Sequence, residues 1–212
     1  MTKPVSNYDL QVDMAKEIFL QYDQEQLIRK YQLRADDRWI YMTYLNTPCR
    51  ISRVTGVVEE YRTDGWRICR EFSTVMTVYD LLCYHQGSSA PALFGQWCTA
   101  GTFVVTGVTK TEDFTRKYAK AFDSQPERLK AACEALGGTP QSPLAGEDMT
   151  YRFAVTPFFP VVLQFWAGDE EFPPKLLILW DRNTPAFLHY ETTFYLQGDL
   201  LDRLQSIMNE YS

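Results

Sequence analysis

The chain has 212 residues, 45% of them hydrophobic and 23% charged, a globular composition with length enough for one large domain or two small ones. Its formal net charge of −6 argues against non-specific binding to nucleic acid or to an anionic membrane, both of which need a basic face. The N-terminal residues contain no apolar core of a signal peptide, and no apolar run approaches the roughly 18–20 residues of a membrane span. Five cysteines, Cys49, Cys69, Cys83, Cys98 and Cys133, are odd in number and never spaced as C-x-x-C. That spacing suits reduced thiols, and a cytoplasmic protein is expected.

In chain order, Ser6 or Asn7 can cap a first helix in which Leu10, Met14 and Ile18 recur at every fourth residue, with Ala15, Phe19 and Tyr22 beside them. The pattern predicts an amphipathic helix packed on a sheet, restarted by Asp23 and continued through Leu27, Ile28 and Tyr31. From Trp39 to Leu45 the period changes to two, a strand that Pro48 is expected to end. Short strands over 49–54, 57–62 and 66–72 follow, the last two joined by a Thr63-Asp64-Gly65 hairpin turn. Glu59, Glu60, Arg62, Arg67, Arg70 and Glu71 are placed to pair across this meander on its wet face.

A helix is expected over 73–85, then an irregular loop over 92–103 anchored by Phe94, Trp97 and Phe103. Thr111 and Ser124 are predicted caps for two further helices, the second opening on Pro126 and stopped by Gly137-Gly138. The segment 139–148, rich in Gly, Pro and Ser, reads as an exposed loop or lid. Apolar runs over 151–155, 161–166 and 176–180 predict strands, and Leu200, Leu201, Leu204, Ile207, Met208 and Tyr211 mark a closing helix. No internal repeat is present. The elements together predict one α+β domain over 1–212, its mainly antiparallel sheet packed against helices from both ends of the chain.

The block PFFPVVLQFWAGDEEFPPKLLILWDRNTPAFLHYE, residues 157–191, resembles an uncharacterised prokaryotic family, domain of unknown function 3786 (DUF3786). In that family the segment is a Pro-bounded apolar strand, a Gly-Asp-Glu-Glu-Phe-Pro turn and an apolar run ending in Asp. A second stretch, YDLLCYHQGSSAPALFGQWCTAGTF at 79–103, is similar to the family's apolar helix followed by Gly-x-Trp in a loop. The chain departs from the family after the second strand, where only Leu188 and Glu191 match the expected Leu-Pro-Thr-Glu-Asp. The resemblance implies a single domain and an important acidic turn, and it implies no reaction.

Three consecutive carboxylates between two buried strands, Asp169, Glu170 and Glu171, are the first candidates for chemistry, with Asp181 and Glu191 beyond them. Converging carboxylates hold hard cations or divide acid and base roles, whereas solvated ones keep a hairpin tip soluble. His189 beside Glu191 is a candidate acid/base partner. Cys83, His85 and Cys98 offer three ligands of a soft metal site, although a single C-x-H is a thin signal. Trp97 and its aromatic neighbours can wall an apolar pocket to which the acidic turn supplies polar groups. No phosphate-loop, dinucleotide or nucleophile-elbow motif is present. The reading these residues favour is a non-catalytic ligand-binding or accessory module, its site near 168–172 and the Gly95–Trp97 loop. A divalent-metal-dependent enzyme using the acidic turn with His189 is the alternative, and a protein–protein interaction subunit the third. Cofactor, oligomeric state and the identity of the small-molecule or protein partner are left open.

Overall fold

The computed structural model describes residues 7–103 and 111–210. The chain forms two compact units, one of Met1–Ala92 with Pro185–Leu196 and one of Leu93–Thr184 with Gln197–Ser212. Among the described residues are six α-helices and two antiparallel sheets of five strands each, which is the α+β class predicted from sequence. The strands divide between the two sheets instead of sharing one.

In the first unit, α1 (Asn7–Gln21) and α2 (Gln24–Tyr31) meet at Asp23, whose carboxylate caps α2 by accepting the Gln26 N–H at 2.9 Å. Then β1 (Arg34–Ala35), β2 (Trp39–Tyr44), β3 (Thr47–Ser52), β4 (Val58–Arg62) and β5 (Gly65–Ile68) pair in sequence order, the expected meander. Ile40, Met42 and Tyr44 face the core. On the opposite face the Arg50 guanidinium lies 3.9 Å from the Trp39 ring centre and bonds Glu59 across the strands at 2.7 Å.

Two local expectations fail for physical reasons. The β2–β3 turn is made by Leu45 and Asn46, both at positive φ, and Pro48 lies inside β3 opposite Thr43. Leu45 is completely buried, so its hydrophobic contacts hold a backbone conformation that branched side chains avoid. Helix α1 packs along α3 (Phe72–Cys83) instead of on a sheet, with the Phe19 ring 5.9 Å from that of Tyr79. Only one apolar face of α1 can be covered this way, so Leu10, Met14 and Ile18, the stripe expected inside, remain exposed.

The second unit contains β6 (Trp97–Thr99), a 3-10 turn at Ala100–Phe103, α4 (Thr111–Asp123), α5 (Pro126–Ala135), β7 (Thr139–Pro140), β8 (Met149–Thr156), β9 (Phe159–Trp166) and β10 (Lys175–Asp181). The sheet order is β6-β10-β9-β8-β7. Strand β9 is central, and Phe159 through Phe165 are all buried between two partner strands, with Gln164 the one polar side chain among them. Helix α4 lies on β10, where the Thr115 hydroxyl donates to the Leu176 carbonyl at 2.8 Å. The final helix, α6 (Tyr190–Glu210), gives its residues from Gln197 onward to this unit, and the Tyr118 hydroxyl donates to Asp202 there at 2.6 Å.

Segment 92–103, read as irregular, supplies the edge strand β6, which pairs with the end of β10. Ser124 does not cap α5: its hydroxyl bonds the Ala121 carbonyl at 3.2 Å, and Gln125 precedes the first-turn proline. The proposed caps Ser6 and Thr111 (the latter in its side chain) and the stripe residue Tyr211 lie outside the described residues.

The segment read as a loop or lid, 139–148, hides a buried carboxylate. Glu147 accepts the N–H groups of Leu144 at 2.8 Å and Ala145 at 2.7 Å, the Gln164 amide at 2.6 Å, and the Thr150 hydroxyl. Burial alone would raise its pKa, but these donors outweigh burial and bring it down to about 2 from 4.5. A depressed folded pKa contributes stability that is complete above 4.5 and is lost as pH falls toward 2. Urea unfolding across that range should show the wild type losing stability more steeply than Glu147→Gln. At neutral pH the variant, which points an amide at other donors, is expected to be about 1–3 kcal/mol less stable.

Candidate functional site

The β9–β10 connection carries the acidic turn, and the structure shows how it is held. The Asp169 carboxylate folds back on its own loop, accepting the N–H of Glu171 at 2.8 Å and of Phe172 at 2.7 Å. The Asp169 N–H donates to the Phe172 carbonyl at 2.9 Å, closing the turn. Gly168 donates to Asp123 at the end of α4 at 2.8 Å, and Ala167 donates to Asp148 at 2.8 Å. Gly168 also lies against Pro174: a Cβ there would come within 2.8 Å of the proline Cδ. Three carboxylates from separate segments therefore satisfy the backbone of one loop.

This fixed loop forms one wall of a cleft of about 560 Å³, within the range that holds small ligands. Trp166, Phe172, Pro173 and Pro174 give it apolar surface, Thr115 and Arg116 come from α4, and Lys175 stands at its rim. Phe172 is 67% exposed, a large cost for a phenyl ring unless something covers it. The Lys175 ammonium lies 5.2 Å from the Trp166 ring centre. Asp148 and Asp169 also border the cleft, each already accepting backbone N–H groups. Glu170 and Glu171 are exposed.

The other sequence candidates lie elsewhere. Asp181 ends β10, while the acidic turn precedes its first residue, Lys175, so the two are separated by roughly 20 Å of strand at ~3.3 Å per residue. It is 1% exposed and accepts the N–H groups of Phe94 at 3.0 Å, Gly95 at 2.7 Å and Asn183 at 2.8 Å. Asp181 thus anchors the Gly95–Trp97 loop, and Trp97 is its cross-strand partner in β6. Glu191 sits in the first turn of α6, where a carboxylate favours the helix dipole. It and His189 belong to the other unit.

There His189 Nδ1 lies 2.6 Å from Asp80 Oδ1, and Asp80 Oδ2 accepts the His189 N–H at 2.8 Å and the Thr192 hydroxyl at 2.6 Å. Asp80 therefore caps α6 from α3, 109 residues away in sequence. Cys83 is buried on α3, and burial pushes its thiol up to about 12, opposed in part by the Lys30 ammonium, so it is apolar filling and no nucleophile. The His85 carbonyl takes the Lys30 ammonium at 2.7 Å and the Tyr22 hydroxyl at 2.9 Å. Cys98, in the second unit, lies 3.7 Å from the Trp180 carbonyl, and burial raises its pKa. Among the described residues no group of three or more His, Cys, Asp or Glu is arranged to hold a metal.

The fold and the cleft define an α+β protein with a small aromatic- and cation-lined depression. The family model for a domain of unknown function, DUF3786, matches residues 23–203, and the chain belongs to that family. Comparison with curated proteins and with solved structures gives no match. No helix among the described residues is long and apolar enough to cross a membrane.

Asp169→Asn retains a side-chain oxygen able to accept both turn N–H groups, whereas Asp169→Ala does not. Amide hydrogen exchange at Glu171 and Phe172 should be near wild type in the first variant and about fivefold to tenfold faster in the second, the loss of about 1 kcal/mol. Equal exchange in all three proteins would remove the turn-locking role.

Proposed function

We propose that this chain is a non-catalytic ligand-binding module whose site is the cleft beside the Gly168–Phe172 turn. The observation that carries the reading is Phe172, held in solvent by a turn that three carboxylates fix. Fixing an apolar ring in water costs free energy with no return to the fold, and such preorganisation favours a ligand that covers it. Trp166 and Phe172 offer apolar faces, and the lining cations Lys175 and Arg116 suit an acidic group. The ligand class is a small molecule with a flat apolar body and an anionic substituent. In this reading the carboxylates of the turn hold backbone, and the aromatic and cationic side chains meet the ligand.

Anilinonaphthalene sulfonate has both features and reports burial by its fluorescence. Saturable binding to the wild type is expected, weakened about fivefold to thirtyfold by Phe172→Ala and by Lys175→Ala, the range of a single good contact. Both residues are exposed, so the variants should keep the wild-type melting temperature. Dye binding unchanged in both variants, or none at millimolar dye, would sink the assignment.

A further inference from the structure

The cleft beside the acidic turn holds charges of both signs. Arg116 and Lys175 line it as cations, Asp148 and Asp169 as carboxylates. Asp123, which holds Gly168, and the exposed Glu170 and Glu171 stand outside the lining. Arg116 is already engaged within the protein. Lys175 contacts the Trp166 ring and makes no ion pair among the described residues.

The sheet sets the spacing of these charges. Lys175, the first residue of β10, is the cross-strand partner of Trp166. On the other side of β9, Asp148 lies one residue before β8. Its N–H donates to the Phe165 carbonyl at 3.0 Å, and its Oδ2 accepts the Ala167 N–H at 2.8 Å. Asp148 and Lys175 therefore flank Trp166 on opposite sides. Two strand spacings of ~4.8 Å set their backbones about 10 Å apart, with the indole between them.

Oδ1 of Asp148 receives no donor among the described residues. Asp169 lies off this rung, in the turn, where its Oδ1 takes two N–H groups. A groove of about 500 Å³ between α1 and α3 of the first unit offers a contrast. Both oxygens of Asp80, at its end, are taken by the His189 N–H, the Thr192 hydroxyl and His189 Nδ1. Only the cleft combines a carboxylate oxygen without a donor, an indole and a cation without a counter-charge.

We propose that the ligand of the cleft is an aromatic zwitterion. Its ring lies on Trp166 and Phe172, its acidic group meets Lys175, and an ammonium at the other end of the ring donates to Asp148 Oδ1. The assignment rests on the cleft reading above and adds Asp148 as the residue that separates a zwitterion from a simple anion. A simple anion leaves the Asp148 flank unmatched, and a simple ammonium leaves Lys175 unmatched; a zwitterion of this length satisfies both.

The test uses the full chain and three compounds of one shape: 4-(aminomethyl)benzoate, 4-methylbenzoate and 4-methylbenzylammonium. Binding is followed through the Trp166 indole and Phe172 ring signals. The zwitterion should saturate both signals and bind at least threefold more tightly than either singly charged compound. Asp148→Asn keeps an oxygen for the Ala167 N–H and replaces the other with an amide donor. It should retain the wild-type melting temperature, lose at least threefold in affinity for the zwitterion, and bind 4-methylbenzoate as tightly as the wild type or more so. A zwitterion that binds no better than 4-methylbenzoate would refute the assignment and leave the cleft reading standing. Equal losses for both acids in Asp148→Asn, or no loss for either, would refute it as well. Binding of all three compounds that ignores Phe172→Ala and Lys175→Ala would remove the cleft reading, and this assignment with it.

Discussion

A backbone N–H that leaves a strand or starts a helix must find an acceptor, and in this protein the acceptor is repeatedly a carboxylate. Asp23 and Asp80 serve helix starts, Asp181 serves the loop that precedes β6, and Glu147 serves the loop before β8. Asp123, Asp148 and Asp169 together serve one hairpin loop. A carboxylate receiving several N–H donors in a half-buried place is strongly held, because each bond is charge-assisted and the alternative is an unsatisfied donor. The excess of 27 acidic over 21 basic residues is thus partly a structural resource. It explains why acid residues from separate segments approach one another without forming a metal site among the described residues.

Much of the fold was legible because its determinants are local. Apolar runs bounded by Gly and Pro became β9 and β10, and Thr63-Asp64-Gly65 became the β4–β5 turn, with Gly65 at φ +116°. What was illegible depends on partners far along the chain. Strand β6 exists because β10 offers it an edge 82 residues later, so residues that look irregular in isolation acquire a ladder. Glu147 gives no sign in its own neighbourhood, a Gly- and Pro-rich segment, that Gln164 and Thr150 will enclose it. The α1 stripe was misread because the helix carries apolar residues on two faces, and periodicity cannot say which one α3 will cover.

The candidate site shows the same division. Sequence located the acidic turn correctly, since charges between two buried strands have to lie at a surface. Asp169, read as a candidate ligand-facing group, fastens the turn, and Phe172, which the reading left without a role of its own, is the exposed ring. An Asp two or three residues before two N–H groups in a Gly-rich turn is a signal for self-capping, and it was available. For His189 no such signal existed: Glu191 is its near neighbour in sequence, and Asp80 is its partner in space.

Charge then separates what shape leaves alike. Both depressions are apolar and of similar volume, about 560 and 500 Å³, so volume alone would assign them the same guests. In the cleft, the carboxylates at the wall have spent lone pairs on backbone N–H groups, while Lys175 lies over an indole and presents its charge at the rim. In the groove, Asp80 spends its oxygens on the His189 N–H, the Thr192 hydroxyl and His189 Nδ1. The two apolar cavities therefore carry different polar groups at their walls. The same rule operates at both: a carboxylate that stabilises backbone leaves its neighbours, cationic in one place and imidazole in the other, to line the cavity wall.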